Sequence, residues 1–224
     1  MIKLSKRLDA ISSLVPKGSN AIDVGCDHGL LDIYLHQKKI TNKIIATDIN
    51  RNAISNAKEN IKKNKLEKQI ETRLGNGIDV LKENDNIDTI IISGMGAHTI
   101  VGILNNNKNK LKSIKTIIIQ SNTKVEFLRK SLIKLKFKIA NEIMIEDNKK
   151  IYTIIKFIKG RQKYTKIELF LGPQLIKDNT ELFRKYCESE LEKQRLLLKL
   201  LPKNKIIEKY KIKKKIKLYQ QVII

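Results

Sequence analysis

Residues able to do chemistry are concentrated in one short stretch, IDVGCDHGLLD at positions 22–32. Two glycines, Gly25 and Gly29, flank Asp27 and His28 at the end of an apolar run. Glycines at a strand end let a ligand approach closely, and a loop that turns into a helix aims backbone N–H groups at it. A dinucleotide site has the pattern G-x-G-x-x-G, but here the carboxylate of Asp27 replaces the middle glycine and would repel a pyrophosphate. The stretch therefore favours a cofactor with an amine and a sulfonium over a phosphate-rich one.

The next three predicted strands also end in polar or glycine-rich residues. IIATDIN places Asp48 at a strand tip, where a carboxylate can accept hydrogen bonds from both hydroxyls of a ribose. GNG offers the Asn76 amide to an adenine edge, and SGMG forms an uncharged tip around Met95. We expect these tips to line one pocket. The predicted cofactor-binding residues are Asp23, Gly25, Asp27, Gly29, Asp48, Ile49, Asn76, Gly77, Gly94 and Met95.

The elements that must position these residues alternate along the first 158 residues, where short β-branched runs separate amphipathic stretches. Continuous apolar strands such as TIIIQ are typical of a sheet covered by helices on both faces, so we predict a Rossmann-like α/β fold with a doubly wound, mostly parallel sheet. Only EDNKK separates the last two runs, which should therefore form an antiparallel hairpin at one edge. The predicted strands span 20–24, 43–48, 69–74, 89–93, 116–120, 137–146 and 150–158, and the predicted helices include 52–64 and 97–104.

After Gly160 the pattern changes to that of a small helical hairpin, similar to a coiled coil. We place a cofactor-binding catalytic domain at 1–160 and a basic helical domain, too small for a core of its own, at 161–224. The first long helix is predicted from Thr180 to Leu201, and Pro202 interrupts it. The apolar stripes of the two helices comprise Phe183, Cys187, Leu191, Leu198 and Leu201, then Ile212, Ile216, Tyr219 and Ile223.

The charge of the chain suggests a polyanionic partner such as nucleic acid or a membrane surface, because 46 basic residues against 23 acidic give a net +23. Abundant Lys, Ile and Asn are also what an AT-rich genome encodes, which explains part of this excess. The distribution is more informative: residues 1–155 carry net +11 and the much shorter 156–224 carry net +12. We expect the tail to bind RNA phosphates with salt-sensitive affinity. The predicted RNA-binding residues are Lys6, Arg7, Lys209, Lys213, Lys214 and Lys217.

Several classes of protein are disfavoured by the sequence. Cys26 and Cys187 belong to no CxxC or Cys/His cluster, and His36 and His98 belong to no ligand set, so we expect neither a disulfide nor a metal site. No segment is apolar over the length that a membrane span requires, and the N-terminus has no leader-like pattern. We therefore expect a monomeric protein of the reducing cytoplasm, although the hairpin could also pack between chains.

Taken together, the motifs resemble a known family. DVGCDHG at 23–29, Asp48, GNG at 75–77 and SGMG at 93–96 resemble the class I S-adenosylmethionine methyltransferases. A narrower resemblance, carried by LSKRL, IQSN, IYTII and LGPQL, is to the TrmK family of bacterial tRNA methyltransferases that modify N1 of adenine 22. This resemblance runs from the N-terminus into the start of the tail. It implies S-adenosyl-L-methionine as cofactor, tRNA as partner and a helical C-terminal domain.

The chemistry implied is an in-line displacement, for which an enzyme must align donor and acceptor and exclude water. N1 of neutral adenine already carries a lone pair, so no strong base is required. The methylated product is cationic, and Asp27 would either stabilise that charge or hold the cofactor amine. His28 is a catalytic candidate that could instead only orient the loop. Asn122 could hydrogen-bond the rim of a base swung out of its stack, or simply form a turn.

The sequence also allows other roles for two acidic residues near the loop and three alternative functions for the protein. We expect Asp23 to accept hydrogen bonds from loop N–H groups and Asp32 to be solvated. An NAD-dependent dehydrogenase could use Asp48 equally well but is disfavoured by Asp27. A methyltransferase acting on another RNA site, a protein or a small molecule is a second alternative, and a non-catalytic RNA-binding protein on the same scaffold is a third. Binding of S-adenosylmethionine or NAD, and methyl transfer to RNA, separate them.

Overall fold

The computed structural model describes residues 2–202 and 204–223. The chain divides into two compact units, Met1–Lys163 and Tyr164–Ile224, a boundary three residues beyond the one predicted from composition. The first unit contains the sheet and the second is helical.

A seven-stranded sheet forms the first unit, with the strand order β3-β2-β1-β4-β5-β7-β6. Strands β1 to β5 are parallel, whereas β7 runs antiparallel to both β5 and β6. The predicted doubly wound sheet and its antiparallel edge hairpin are therefore confirmed. The strands are β1 (Ser19–Val24), β2 (Thr41–Asp48), β3 (Ile70–Leu74), β4 (Thr89–Met95), β5 (Thr116–Ser121), β6 (Phe137–Asp147) and β7 (Lys150–Lys159).

The helices of the first unit connect these strands and begin at polar caps where the sequence supplies one. The Ser5 hydroxyl accepts from the first turn of α1, and the Asn50 side chain accepts from Asn52 N at the start of α3. Short 3₁₀ turns occupy Gly77–Val80, Glu83–Asp85 and Lys110–Lys112. The α-helices are α1 (Lys6–Leu14), α2 (Leu30–Gln37), α3 (Arg51–Lys63), α4 (Ala97–Asn106) and α5 (Val125–Lys134).

The core lies on both faces of the central strands, which explains their unbroken apolar sequences. Ile90, Ile91 and Ile92 of β4 are fully buried, as are the isoleucines of β5. The strand order reverses between β1 and β4, and in open α/β sheets ligands bind at the carboxyl ends of the strands at such a point. The fold thus places the predicted site residues of β1, β2 and β4 at one edge.

A buried ion pair ties helix α5 to the edge hairpin. The Nε of Arg129 donates to the Oε1 of Glu142 on β6 at 2.7 Å, and both side chains are almost fully buried. Removing one partner of such a pair leaves an uncompensated buried charge, so the contact fixes the position of α5 against the sheet.

The second unit contains α6 (Lys166–Leu171), α7 (Pro173–Asp178), α8 (Glu181–Leu200) and α9 (Ile206–Gln220), of which α8 and α9 pack against each other. The predicted helical hairpin is confirmed. Phe183, Cys187 and Leu191 are buried as predicted, but the stripe continues through Gln194. Leu198 and Leu201 are only half-buried.

Candidate active site

The carboxyl ends of β1, β2 and β4 enclose a cavity of about 350 Å³. It is lined by six of the ten predicted cofactor-binding residues and by His28, and also by Arg7 and Cys26. The six are Asp23, Gly25, Asp27, Asp48, Gly94 and Met95. A larger cavity of about 460 Å³, between residues 81–87 and 109–113, contains none of the predicted site residues, so we assign the chemistry to the smaller one.

The loop after β1 has the backbone conformation that its glycines predict. Gly25 has φ +79°, and a Cβ there would lie 2.5 Å from the Met95 methyl carbon, so a side chain at this position would meet the wall of the cavity. Gly29 (φ +67°) is the N-cap of α2. The loop N–H groups of Gly25 and Cys26 donate to the Thr47 carbonyl at 2.8 and 3.1 Å.

Asp23 does not shape this loop as predicted, because the loop N–H groups already donate to the backbone of β2. The Asp23 carboxyl is buried at the crevice wall, and its Oδ1 has no hydrogen-bond partner within residues 2–202 and 204–223. Burial and, to a smaller extent, the Asp48 carboxylate raise its pKa to about 7, against the opposing effect of the Arg7 guanidinium. An unpaired buried acid beside an open crevice is an arrangement that a cationic ligand stabilises.

Asp32 is also buried, and the prediction of a solvated residue was wrong. It lies in the first turn of α2, and this turn packs into the interior, so no part of the side chain reaches water. Both carboxyl oxygens lack a partner in the described part of the chain. Burial and the neighbouring Asp23 raise its pKa well above the ordinary range. Burial, with Asp32, Asp23 and Asp48, also raises the pKa of the Cys26 thiol, which therefore stays protonated.

Asp27 and His28 lie at the mouth of the crevice and are open to solvent. The side chains are 72% and 52% exposed, and Asp27 Oδ1 lies 3.5 Å from His28 Nε2. The His28 carbonyl accepts a hydrogen bond from the Asn60 side chain on α3 at 2.9 Å, so the loop is held through the His28 backbone. The imidazole is thereby left at the mouth beside the Asp27 carboxylate.

The tip of β2 is held rigid around Asp48. Its Oδ1 accepts from Asn50 N at 2.8 Å, and its carbonyl accepts from Gly75 N at 2.9 Å. The following residue, Ile49, is 70% exposed, and Leu74, which pairs in register with Asp48 across β2 and β3, is also exposed. Two exposed apolar side chains at adjacent strand ends offer faces to a flat ring. Leu74 was missed because an apolar residue that ends a strand is ordinarily a core residue.

The GNG segment after β3 lies outside the cavity lining. Asn76 is exposed and precedes the 3₁₀ turn Gly77–Val80. Gly77 has φ +60°, and a Cβ there would lie 2.5 Å from Ile103 of α4. The glycine is thus required by backbone conformation and by close packing, and the Asn76 amide remains free to face a ligand beyond the rim.

A hydrogen-bond network that the sequence did not predict ties β4 to β5. Gln120 is fully buried, and its Oε1 accepts from both Gly94 N and Arg7 Nη1 at 2.9 Å. Its Nε2 donates to Asn122 Oδ1 at 2.9 Å, and Asn122 Nδ2 donates to the Gly94 carbonyl at 2.7 Å. Asn122 therefore braces the SGMG tip. A polar residue that ends the apolar strand TIIIQ is the signal that identifies Gln120.

Arg7 lies in the crevice wall and not on an outward-facing surface. Its guanidinium bonds Gln120 and lies 5.6 Å from the centre of the Tyr152 ring. Its backbone N–H donates to Asp147 Oδ2 at 3.1 Å. The buried Asp23 attracts this guanidinium inward. Lys6, one residue earlier, is exposed.

The predicted RNA-binding lysines of the tail lie on α9. Lys213, Lys214 and Lys217 are exposed and Lys209 is half-buried. Lys209, Lys213 and Lys217 are four residues apart, so they share one face of the helix.

Two features are absent from residues 2–202 and 204–223. No group of three or more His, Cys, Asp or Glu side chains is placed to hold a metal ion. No helix in this part of the chain is both long enough and apolar enough to cross a membrane. Cys26 and Cys187 are both buried and unpaired.

The doubly wound sheet and the acidic crevice at its switch point define a class I S-adenosylmethionine-dependent methyltransferase. The sequence model of the TrmK family, tRNA (adenine(22)-N(1))-methyltransferase, matches residues 21–221. The chain therefore belongs to the TrmK family.

Individual relatives agree along nearly the whole chain. The tRNA (adenine(22)-N(1))-methyltransferase of Bacillus subtilis is 31% identical over 197 residues, which cover 85% of this chain and 82% of the relative. A Streptococcus pneumoniae protein solved in complex with S-adenosyl-L-methionine superposes with a TM-score of 0.92, at 29% identity, over 99% of this chain and 100% of that one. M. capricolum TrmK in complex with S-adenosyl-homocysteine gives a TM-score of 0.90, at 30% identity, over 98% and 97%.

Proposed function

We propose that this protein transfers the methyl group of S-adenosylmethionine to N1 of adenine 22 in tRNA. The observation that carries the proposal is the unpaired, buried Asp23 on the wall of an acidic crevice, in a chain of the TrmK family. The relative from Bacillus subtilis has this activity by name. A phosphate-rich cofactor would instead place negative charge against Asp23, Asp27 and Asp48.

The residues of the crevice fit the methyl donor part by part. In this proposal Asp48 accepts from the ribose hydroxyls. Beyond the cavity lining, the exposed Ile49 and Leu74 flank the adenine and Asn76 hydrogen-bonds its edge. Asp23 and Asp27 line the cavity and would hold the positively charged end of the ligand. Gly25 and Gly29 let the loop backbone approach the cofactor closely. Gly77, Gly94 and Met95 are the remaining predicted cofactor-binding residues. When bound, S-adenosylmethionine supplies an electrophilic methyl group on a sulfonium.

The chain supplies alignment and charge rather than a strong base. Adenine N1 carries no proton, so no residue has to remove one before the transfer. Asp27, exposed at the mouth, stabilises the positive charge that develops on the base. His28, paired with Asp27, orients that carboxylate and is the second catalytic candidate. Asn122 keeps the SGMG tip in place and has one amide hydrogen left for the rim of the base.

We assign catalysis to residues 1–160 and RNA binding chiefly to 161–224. Lys6 and the α9 lysines are exposed or half-buried cations suited to phosphates, which they would contact without reading sequence. Arg7 acts in the crevice wall, where its guanidinium holds Gln120. We further propose that the protein is a monomer in the cytoplasm, because the reducing cytoplasm keeps unpaired cysteines such as Cys26 and Cys187 as thiols.

The test is incubation of an unmodified tRNA transcript with radiolabelled S-adenosylmethionine, followed by mapping of the modified nucleotide. We expect one methyl group on N1 of adenine 22, and none in a transcript with guanine at that position. Label at another nucleotide would replace the proposed target. Binding of the cofactor without any transfer to RNA would support the non-catalytic alternative instead.

A further inference from the structure

An exposed aromatic cluster, formed by Phe127, His98 and Lys124, lies at the carboxyl ends of β4 and β5. His98 is in the first turn of α4 and Phe127 in the first turn of α5. The two rings are 4.5 Å apart between centroids and inclined by 40°. Lys124 Nζ lies 2.9 Å from His98 Nε2. We call these three residues the aromatic cluster.

The chemistry of the cluster is that of a site for a flat, anionic ligand. Lysine has only donors, so in this contact His98 Nε2 is the acceptor. The Lys124 ammonium keeps two further N–H donors, which suit a phosphate oxygen. An aromatic surface with an adjacent cation binds nucleobases through their π faces, whatever their sequence.

Phe127 differs in its exposure from the other aromatic residues of the first unit. Among the Phe and Tyr side chains of residues 2–163, Phe127 is the most exposed, at 36%. Phe137 and Phe157 are buried in the core, and Tyr34 and Tyr152 are half-buried. The exposed part of the Phe127 ring lies beside His98, where a ligand can reach it.

The cluster is continuous with the crevice through hydrogen-bonded backbone. Thr123 Oγ1 accepts from Ala97 N at 3.4 Å, next to His98, and Asn122 donates to the carbonyl of Gly94, which lines the crevice. Residues 122–124 are all exposed, so they join the two places by a short stretch of open surface. The buried Arg129–Glu142 pair holds α5, and with it the backbone of Phe127, against the sheet.

We propose that the aromatic cluster stacks an unpaired base of the RNA substrate, with Phe127 as the main contact and Lys124 beside the backbone phosphate. This inference rests on the proposed function, because it requires an RNA whose target nucleotide is drawn out beside the crevice. N1 lies on the Watson–Crick edge, so the target base must leave its stack to be reached, and each neighbouring base then loses a stacking partner. The cluster offers a new stacking partner at that point.

The first experiment is Phe127→Ala, assayed for methyl transfer to the tRNA transcript. We expect kcat/KM for tRNA to fall roughly 5- to 150-fold, the range that base–aromatic stacking supports, with an unchanged Kd for S-adenosylmethionine in calorimetry. Phe127→Trp should retain most of the activity. Ile151→Ala removes an apolar side chain of similar exposure from β7 and is the matched control, for which we expect wild-type values. Wild-type kcat/KM in Phe127→Ala would overturn the proposal.

A second experiment separates stacking from a structural effect. Transcripts with a single abasic nucleotide at position 22 or at either neighbour are tested for binding to wild-type protein and to Phe127→Ala. If Phe127 stacks one of these bases, removal of that base makes the two proteins bind alike. A loss from Phe127→Ala that persists in full with all three abasic transcripts would contradict the proposal.

The failure of this inference is distinguishable from failure of the proposed function. If the wild-type protein methylates no transcript, the proposed function is wrong and the stacking test is read from RNA binding alone. If the wild type methylates adenine 22 and Phe127→Ala does so equally well, only the aromatic cluster loses its assignment.

Discussion

The β1 and β5 sides of the crevice differ in whether their buried polar side chains have hydrogen-bond partners. On the β1 side, Asp23 at the end of β1 and Asp32 in α2 are buried, and Oδ1 of Asp23 and both carboxyl oxygens of Asp32 have no hydrogen-bond partner in the part of the chain described. At the end of β5, Gln120 is equally buried, yet its oxygen and nitrogen are both hydrogen-bonded. An unpaired buried polar group costs folding free energy, so it persists where a ligand compensates it. The β1 side is therefore built to bind, and the β5 side to stay rigid.

This contrast gives opposite expectations for substitutions on the two sides. A change on the β5 side should lower stability first and reduce activity as a consequence. A change on the β1 side should lower affinity for the cofactor while leaving the fold as stable as before, or more so. Active sites commonly hold such destabilising groups, and their removal exchanges function for stability.

Gln120→Ala should have the largest effect on folding. It removes a fully buried side chain and leaves Gly94 N, the Arg7 guanidinium and Asn122 without their partner. We expect the free energy of unfolding to fall by about 3 kcal/mol, measured by urea denaturation. Gln69→Ala, at an exposed glutamine, is the matched control and should change it by less than about 0.5 kcal/mol. Wild-type stability in Gln120→Ala would remove the proposed rigidity of the β5 side.

Asp23→Asn should have the opposite pattern. We expect the Kd for S-adenosylmethionine to rise by roughly 30-fold, about 2 kcal/mol, because the crevice loses a buried negative charge. Above the raised pKa of Asp23, about 7, the variant should be more stable than the wild type, since an unpaired charge is removed from the interior. Calorimetry and urea denaturation at pH 8 measure the two effects. If Asp23→Asn were less stable than the wild type and bound S-adenosylmethionine with unchanged Kd, the β1 side would have a structural role and not a binding one.

The pH dependence of stability provides the control for Asp23→Asn. The folded pKa is raised, so between the ordinary aspartate range and about 7 the folded protein holds a proton that the unfolded chain has lost. Stability from this group is therefore present at low pH and is lost as pH rises, by at most about 1.4 kcal/mol per pH unit. The pKa of Asp85 is shifted in the opposite direction, because Arg73 lowers it. Asp85 therefore titrates below the pH range in which Asp23 does and does not affect this comparison. The difference between wild type and Asp23→Asn should thus grow from pH 5 to pH 7 and then level off.

The smallest effect is expected for the lysines of α9, in the second unit. Replacing Lys209, Lys213, Lys214 and Lys217 by glutamine should weaken tRNA binding several-fold and reduce the slope of log affinity against log salt by roughly 2 to 4. The Kd for S-adenosylmethionine should not change. Filter binding over a salt series measures the slope, and an unchanged slope would show that these lysines are merely solvated.

Much of the fold could be predicted because its signals are local. Each strand is a β-branched run, and the carboxyl ends of parallel strands share an edge, so Asp48 and Gly25 could be placed together from sequence. The hairpin followed from a separation too short for a helix. Phe183, Cys187 and Leu191 followed from helical spacing.

The rest depended on contacts between distant residues. Arg7 and Gln120 are 113 positions apart, so neither sequence neighbourhood reveals that the arginine points into the crevice. Asp32 was assigned to solvent by its residue type, but the packing of α2 decides which face is buried. The hydrogen bonds of Asn122 to Gln120 and Gly94 likewise could not be predicted, because they depend on how β4 and β5 lie side by side.

The claim on which the function depends is that Asp23 gives the crevice its preference for a positively charged ligand. Calorimetric titration of the wild-type protein with S-adenosylmethionine at about pH 5.5 and about pH 7.5 tests it, because binding at the lower pH must first displace the Asp23 proton. We expect the Kd to be about tenfold lower at the higher pH, with proton release into the buffer at the lower one. Equal affinity at both values, without proton release, would contradict the claim.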